Sequence, residues 1–124
     1  MKALRIAVIG VGAFVDSRAR SYLRTIRMLS DRYEICALCD RNERPLREAG
    51  NTFGVRGLDA DVVKMLGDER PDVAFVLVPT DGQSPVALTA ARHGCNILTE
   101  IPFAITLPIG DAISKACSDN GVSW

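Results

Sequence analysis

The sequence lacks several features that would place it in a specialised class of protein. No apolar run approaches the ~20 residues that a membrane-spanning helix needs, and charges interrupt the first five residues, unlike a secretory signal peptide. The 15 Lys and Arg residues balance the 15 Asp and Glu residues, so the chain lacks the positive field of a typical nucleic-acid-binding protein. We therefore expect neither a membrane nor a nucleic acid among its partners.

Cysteine and histidine are also scarce. Four cysteines in 124 residues suit a reducing compartment better than a disulfide framework, so the expected location is cytoplasmic. Cys36 and Cys39 lie three residues apart on a predicted strand, where their thiols should point to opposite faces, so we expect no metal site there. His93 is the only histidine. It falls in the last turn of a predicted helix and has no candidate catalytic partner, so we predict a structural role.

The remaining composition, 48% hydrophobic and 24% charged, predicts one globular domain over residues 1–124. Apolar runs typical of strands alternate with amphipathic stretches typical of helices. The predicted strands are Leu4 to Ile9, Tyr33 to Leu38, Val55 to Leu58, Val73 to Val78 and Asn96 to Thr99. The predicted helices run from Val15 to Leu29, from Leu46 to Phe53, from a cap at Asp59 or Asp61 to Arg70, from a cap at Ser84 before Pro85 to Gly94, and from a cap at Thr106 to Gly121.

Alternating strands and helices indicate right-handed crossovers, and therefore an α/β fold with a doubly wound parallel sheet. The run from Val73 to Val78 supports this interpretation, because a strand that is apolar on both faces needs helices on each side. Ligands of such sheets bind beyond the carboxyl ends of the strands. The candidate functional residues should therefore lie near positions 10–15, 40, 79–84 and 99–102.

The first candidate is the run Gly10-Val11-Gly12-Ala13-Phe14, which follows a strand and precedes a helix. Gly10 permits a tight turn, and Gly12 lets the backbone approach a pyrophosphate at the helix N-terminus. Val15 occupies the position of the usual third small residue. The alternative interpretation is a simple glycine turn between strand and helix.

The second candidate is Asp40, at the end of the second predicted strand. A carboxylate there can accept both hydroxyls of an adenosine ribose and repel a 2′-phosphate, which favours NAD. Arg41 and Arg44 follow and could stack on adenine or tolerate that phosphate, so NADP stays possible. A plain turn residue is the other interpretation of Asp40. In the first helix the arginines at 18, 20, 24 and 27 are interpreted as a solvated face, not as a nucleic-acid site.

Two later runs carry a family resemblance: Val78-Pro79-Thr80-Asp81-Gly82-Gln83, and Gly94-Cys95-Asn96-Ile97-Leu98-Thr99-Glu100-Ile101-Pro102. Together with the glycine run and Asp40, they resemble the N-terminal domain of the glucose–fructose oxidoreductase / inositol dehydrogenase (Gfo/Idh/MocA) family. The resemblance extends from Ile6 to Val122. It implies a Rossmann sheet in the order 3-2-1-4-5 and a second domain that supplies most substrate contacts. The family's sixth strand and that domain are not expected within these 124 residues.

The resemblance also implies roles for single residues. Gly10 and Gly12 match the phosphate loop, and Asp40 matches the ribose acceptor. A second group of residues matches the part of the family pattern that lies beside the nicotinamide. Pro79 and Thr80 match its turn, Glu100 matches the Glu that contacts the nicotinamide ribose, and Pro102 matches its Pro. The sequence departs from the family in three places: Val15 replaces a small residue, Gln83 a histidine, and Ile101 the lysine that assists proton transfer. By its position in the pattern, Gln83 is still expected among the cofactor-binding residues.

These observations predict the NAD(P)-binding domain of an oxidoreductase that acts on a sugar, a cyclitol or a related alcohol. Because Ile101 cannot transfer a proton, a non-catalytic dinucleotide-binding module is the alternative, and an interaction module without a ligand is a third hypothesis. We expect no turnover by residues 1–124 alone. Ile97 and Leu98 would form an open sheet edge, so we also expect self-association, through that edge or through apolar surface left uncovered.

Overall fold

A computed structural model of the chain describes residues 1–12 and 17–124. Its strands are β1 (Leu4–Ile9), β2 (Tyr33–Cys39), β3 (Leu58–Asp59), β4 (Val73–Val76) and β5 (Asn96–Thr99). Its helices are α1 (Arg18–Met28), α2 (Glu43–Phe53), α3 (Val62–Glu69), α4 (Thr80–Arg92) and α5 (Leu107–Asn120). The strands form one parallel sheet in the order β3-β2-β1-β4-β5, which confirms the predicted fold and strand order.

The central strand β1 shows why the sheet needs helices on both faces. Its buried side chains alternate: Ala7 and Ile9 pack with residues of α3, α4 and α5, whereas Ile6 and Val8 pack with residues of α1 and α2. All four are 2% exposed or less. The sheet is therefore the middle layer of three, and its carboxyl edge is the place where loops from both helix layers meet.

Side-chain caps begin four of the five helices that the structure describes. Ser17, Asn42, Asp61 and Thr106 each accept a hydrogen bond from a backbone N–H two or three residues further on. The predicted caps Asp61 and Thr106 are confirmed. Each cap is worth about 1 kcal/mol of helix stability, because it satisfies a donor that the helix leaves unpaired.

The fourth helix begins earlier than predicted. It starts at Thr80, with Pro79 in the cap position, so Ser84 and Pro85 lie inside α4 and the predicted cap at Ser84 is wrong. The chain turns into the helix at once, since Gly82 N–H donates to Pro79 O at 2.9 Å. The preceding strand is shorter for the same reason: β4 ends at Val76, not Val78.

The third strand is also shorter and later than predicted. Val55 follows Gly54, the C-cap of α2, and its N–H donates back to Gly50 O in that helix, so pairing with β2 begins only at Leu58. The second strand is one residue longer than predicted, since it ends at Cys39.

The prediction that Cys36 and Cys39 point to opposite faces is wrong. Ile6 pairs with Ile35 and Ala7 pairs with Ala37, so Cys36 is an extra residue in a β-bulge of β2. The bulge shifts the alternation by one position, and both thiols pack among the residues of α3, α4 and α5. Burial raises the pKa of Cys36 to about 11 and that of Cys39 to about 12.

The outer edge of β5 is less open than predicted. Ile97 N–H donates to Ser123 O at 3.0 Å, and Ser123 N–H donates to the Asn96 side chain at 2.8 Å. Trp124 donates from its indole to Thr99 Oγ1 at 3.3 Å and stacks edge-on against Phe103. The chain's own last residues therefore take up hydrogen-bonding groups that were expected to stay unpaired.

Among residues 1–12 and 17–124, no helix combines the length and the apolar character needed to cross a membrane.

Candidate functional site

The main cleft lies at the carboxyl ends of β1, β2 and β4 and has a volume of about 910 Å³. Five of the predicted site residues line it: Gly10, Gly12, Asp40, Arg41 and Pro79. Its location agrees with the rule that ligands of doubly wound sheets bind where the strand order reverses. Here that point lies between β1 and β4: strands β2 and β3 are added on one side of β1, and β4 and β5 are added on the other side.

Two glycines give the loop after β1 its shape. Gly10 has a φ of 90°, and a Cβ there would lie 2.8 Å from the carbonyl oxygen of Leu77. Gly12 has a φ of 72°, and a Cβ there would lie 2.4 Å from the Ser17 hydroxyl. No other residue type satisfies both the positive φ and the close approach. We call Gly10, Val11 and Gly12 the glycine loop.

Asp40 holds the glycine loop from one side. Its carboxylate accepts the N–H of Val11 at 3.0 Å and the N–H of Asn42 at 2.8 Å, one on each oxygen. Since an ionised carboxylate offers about four acceptor sites, Asp40 keeps capacity for two further donors. The residue is half-buried and lines the cleft.

Arg20 holds the loop from the other side, and the prediction that places it on a solvated face is wrong. Its side chain is buried, donating from Nε to Val11 O at 3.2 Å and from Nη2 to Pro45 O at 3.4 Å. Ser17 Oγ also donates to Val11 O, at 3.4 Å. Arg20 lies three residues before Leu23, a residue of the apolar stripe of α1. This helical spacing was the signal that could have identified Arg20 as inward-facing.

A second group of predicted residues lies at the ends of β4 and β5, where Gln83 joins them. The Gln83 side chain is 2% exposed and donates to Glu100 O at 3.0 Å and to Pro102 O at 2.9 Å. The peptide between Ile101 and Pro102 is cis. Gln83 therefore fixes the backbone of residues 100–102, which we call the 100–102 segment.

Glu100 points its carboxylate towards α1. Tyr22 donates its hydroxyl to Glu100 Oε1 at 2.8 Å, and Arg18 Nε lies 3.6 Å from Glu100 Oε2. The hydrogen bond to Glu100 raises the pKa of Tyr22, with burial as a second cause. Tyr22 also packs edge-on against Phe75 of β4, so it links the first helix to the sheet as well as to the 100–102 segment.

Not every predicted residue joins the cleft. Thr80, Gln83, Glu100 and Pro102 are outside its lining, and Ile101 is 88% exposed. Ala13 and Phe14 lie outside the described residues. Prediction from sequence assigned no role to the wall formed by the start of α3 and the first turns of α4, although two of its residues fall within the predicted region 79–84. The wall includes Asp61, Val62, Asp81, Gly82 and Val86. The Asp61 cap pointed to the first part of that wall, but the misplaced start of α4 concealed the second.

Residues 4–123 match the family described as the oxidoreductase family with an NAD-binding Rossmann fold (GFO_IDH_MocA). The chain belongs to this family. The resemblance predicted from the sequence is confirmed, and with it the NAD-binding Rossmann fold of this oxidoreductase family.

Curated relatives and solved structures agree with this assignment. D-apiose dehydrogenase of Paraburkholderia graminis is 34% identical over 122 residues, which are 98% of this chain and 31% of that protein. D-glucoside 3-dehydrogenase of Escherichia coli is 31% identical over 103 residues, 83% of this chain and 28% of that protein. The WlbA dehydrogenase of Bordetella pertussis, solved in complex with NADH and UDP-GlcNAcA, shares the fold with a TM-score of 0.89 at 24% identity, over 98% of this chain and 35% of that one. The chain thus spans about a third of the length of these relatives.

The cleft fits a dinucleotide. Gly10 and Gly12 line the cleft and carry no side chain, so the backbone there is open to the close approach of a pyrophosphate. Asp40 retains acceptor sites at the adjacent strand end, as recognition of a ribose requires. Both features lie in one cleft of sufficient volume for a nucleotide.

Proposed function

We propose that this chain binds NAD in the cleft at the carboxyl ends of β1, β2 and β4, as the cofactor domain of an enzyme that oxidises a sugar, a cyclitol or a related alcohol. The observation that carries the proposal is the position of the glycine loop and Asp40 on one cleft. NAD, when bound, supplies hydride transfer, while the protein supplies position and electrostatics.

Each predicted residue has a role in this proposal. The glycine loop offers backbone to the pyrophosphate, with Ala13 and Phe14 following in sequence. Asp40 accepts the hydroxyls of the adenosine ribose, and Arg41, exposed on the rim of the cleft, stacks on adenine. Arg44 is less available for a 2′-phosphate, because its Nε is bonded to Glu48 at 3.1 Å. This engagement supports NAD over NADP.

The second group of residues, at the ends of β4 and β5, binds the nicotinamide end of NAD in this proposal. Pro79 and Thr80 form the turn into α4, and Glu100 and Pro102 are held there by Gln83. Glu100 would contact the nicotinamide ribose through acceptor sites that Tyr22 and Arg18 leave free. In this assignment Gln83 is a support for the backbone and not an acid or base.

A titration of NAD against wild type and Asp40→Ala tests the proposal. Loss of charge-assisted hydrogen bonds should cost about 1–3 kcal/mol of binding free energy. Asp31→Ala is the control, since Asp31 is an exposed acid between α1 and β2 and its loss changes the net charge equally. Equal NAD affinity of Asp40→Ala and wild type would contradict the proposal, as would tighter binding of NADP than of NAD.

The missing family lysine favours one alternative, a non-catalytic dinucleotide-binding module. Ile101 is exposed and has no group that exchanges a proton. We expect residues 1–124 to bind NAD without reducing it in the presence of any polyol, and Ile101→Lys to leave that result unchanged. Measured NADH formation by the unmodified chain would show that the catalytic groups lie within it. If a longer protein that contains this chain also fails to oxidise any polyol, the alternative is favoured.

Self-association of residues 1–124 remains a proposal, now through apolar surface and not through the β5 edge. Ile101, Phe103, Ile105 and Leu107 are all exposed and lie within seven consecutive residues, next to the stacked Trp124. Sedimentation of the wild type and of Ile105→Ser across a concentration series is the test. A wild type that stays monomeric at every concentration would contradict it.

We further propose a cytoplasmic location, which the four cysteines support because none of them is in a disulfide.

A further inference from the structure

Arg20 is the one charged side chain that is buried in the part of the chain that the structure describes. Its hydrogen-bond acceptors are two backbone carbonyls, Val11 O at 3.2 Å and Pro45 O at 3.4 Å. No described carboxylate forms an ion pair with it. A buried cation that is paired with no carboxylate of residues 1–12 and 17–124 relies on neutral carbonyls, which offset only part of the cost of burying its charge.

The location of this charge matters for the site. The carbonyl of Val11 belongs to the peptide that joins Val11 to Gly12, and Gly12 lines the cleft. The Arg20 guanidinium therefore lies one peptide unit behind the backbone that a dinucleotide would approach. Val11 is also held at its amide end, because its N–H donates to the carboxylate of Asp40. Two charged side chains of opposite sign thus clamp a single residue of the glycine loop.

We propose that Arg20 is a positioning residue for the diphosphate group of the cofactor. It keeps the glycine loop in the conformation that its two positive φ angles define, and its charge is compensated by the diphosphate when the dinucleotide binds. This inference rests on the proposed function. It adds that the domain selects ligands by their diphosphate, through a residue that stays behind the loop and does not line the cleft.

Arg27 provides a matched comparison on the same helix. It also donates to a backbone carbonyl, Thr52 O at 2.9 Å, but it is exposed. Replacing Arg27 removes the same charge and the same kind of hydrogen bond at a position away from the glycine loop. A difference between the two positions therefore isolates the effect of the loop and of burial.

The experiment compares three ligands: NAD and ADP, which carry a diphosphate, and adenosine, which does not. Dissociation constants are measured by NMR titration for wild type, Arg20→Met, Arg20→Lys and Arg27→Met, with urea unfolding of each protein. We expect Arg20→Met to bind NAD and ADP about 10- to 100-fold more weakly, because a buried positive charge close behind the loop attracts the diphosphate through space, and to bind adenosine within about twofold of wild type. Arg20→Lys, which keeps the charge, should recover part of the NAD and ADP affinity, and Arg27→Met should match wild type.

The ligands separate the possible outcomes. If Arg20 had only a structural role, all three affinities would fall together, and this inference would be overturned while NAD binding by the wild type still stood. Unchanged binding of NAD and ADP by Arg20→Met would overturn it as well. If Arg20→Met does not fold, the ratio of adenosine to ADP affinity in Arg20→Lys decides, and an unaltered ratio counts against the proposal. A wild type that binds none of the three ligands would remove the proposed function and this inference with it.

Discussion

The two halves of the sheet's carboxyl edge are built by different means. The glycine loop takes its shape from the backbone, because Gly10 and Gly12 adopt positive φ angles that other residues avoid. The 100–102 segment takes its shape from a side chain, because Gln83 donates to two carbonyls 17 and 19 residues away in sequence. The first half is therefore encoded locally, while the second depends on packing between β4, α4 and β5.

The largest expected effect comes from breaking the glycine loop. Gly10→Ala should destabilise the domain by about 2–5 kcal/mol, since the positive φ costs about 1–2 and the clash about 1–3 kcal/mol. The new Cβ would meet the Leu77 carbonyl, which belongs to the backbone and cannot rotate away. Urea unfolding measures the loss.

Gly54→Ala is the control for that experiment. Gly54 also has a positive φ, 68°, but a Cβ there would meet nothing within 4 Å. We expect a loss of about 1–2 kcal/mol, the cost of the positive φ alone. Equal losses at the two positions would mean that the close approach to Leu77 does not shape the loop.

A smaller loss of stability is expected when the 100–102 segment loses the support of Gln83. Gln83→Leu keeps the size of the side chain but leaves the carbonyls of Glu100 and Pro102 without their donor, which should cost about 1–3 kcal/mol. The adjacent Ser84→Ala is the control. Ser84 Oγ is buried without a hydrogen-bond partner among the described residues, so its removal should be neutral or slightly stabilising. A Gln83→Leu protein as stable as Ser84→Ala would show that the 100–102 segment is held by other means.

The smallest effect concerns the link between the halves, the hydrogen bond from Tyr22 to Glu100. Tyr22→Phe should cost about 0.5–1.5 kcal/mol at pH 7. Because folding raises the pKa of Tyr22 above 10.0, the stability it adds is fully present below pH 10 and is lost as the pH rises through the folded value. The difference between wild type and Tyr22→Phe should therefore be constant from pH 7 to about 10 and shrink above it.

Unfolding by urea at several pH values measures this difference, with Tyr33→Phe as the matched variant outside the link. The raised pKa values of the buried cysteines also lower the free energy of unfolding at high pH. This loss is equal in each protein and cancels in the comparison. A difference that grows above pH 10 would contradict the assigned hydrogen bond.

The same contrast explains what could be predicted from the sequence. The glycine loop and Asp40 were identified because a turn glycine and a strand-end carboxylate are local signals in the correct context. Gln83 was predicted as a cofactor-binding residue only from its place in the family pattern, and nothing in its neighbours indicated that it donates to two carbonyls beyond β5. Arg20 was assigned to the wrong face because charge was taken as a sign of exposure, although a long side chain can be buried when carbonyls accept its donors.

Apolar periodicity and glycine's backbone freedom are sufficient to predict the alternation of elements, the three-layer α/β fold and the nucleotide-binding end of the sheet. The start of α4 at Thr80, the bulge that turns Cys36 and Cys39 to one face, and the pairing of the last residues with β5 become evident in the folded chain. The start of α4 rests on a local hydrogen bond from Gly82 N–H to Pro79 O, whereas the bulge and the pairing of the last residues depend on contacts between segments distant in sequence. No local pattern records such contacts, since the partner of each group is chosen only when the sheet and its helices have assembled.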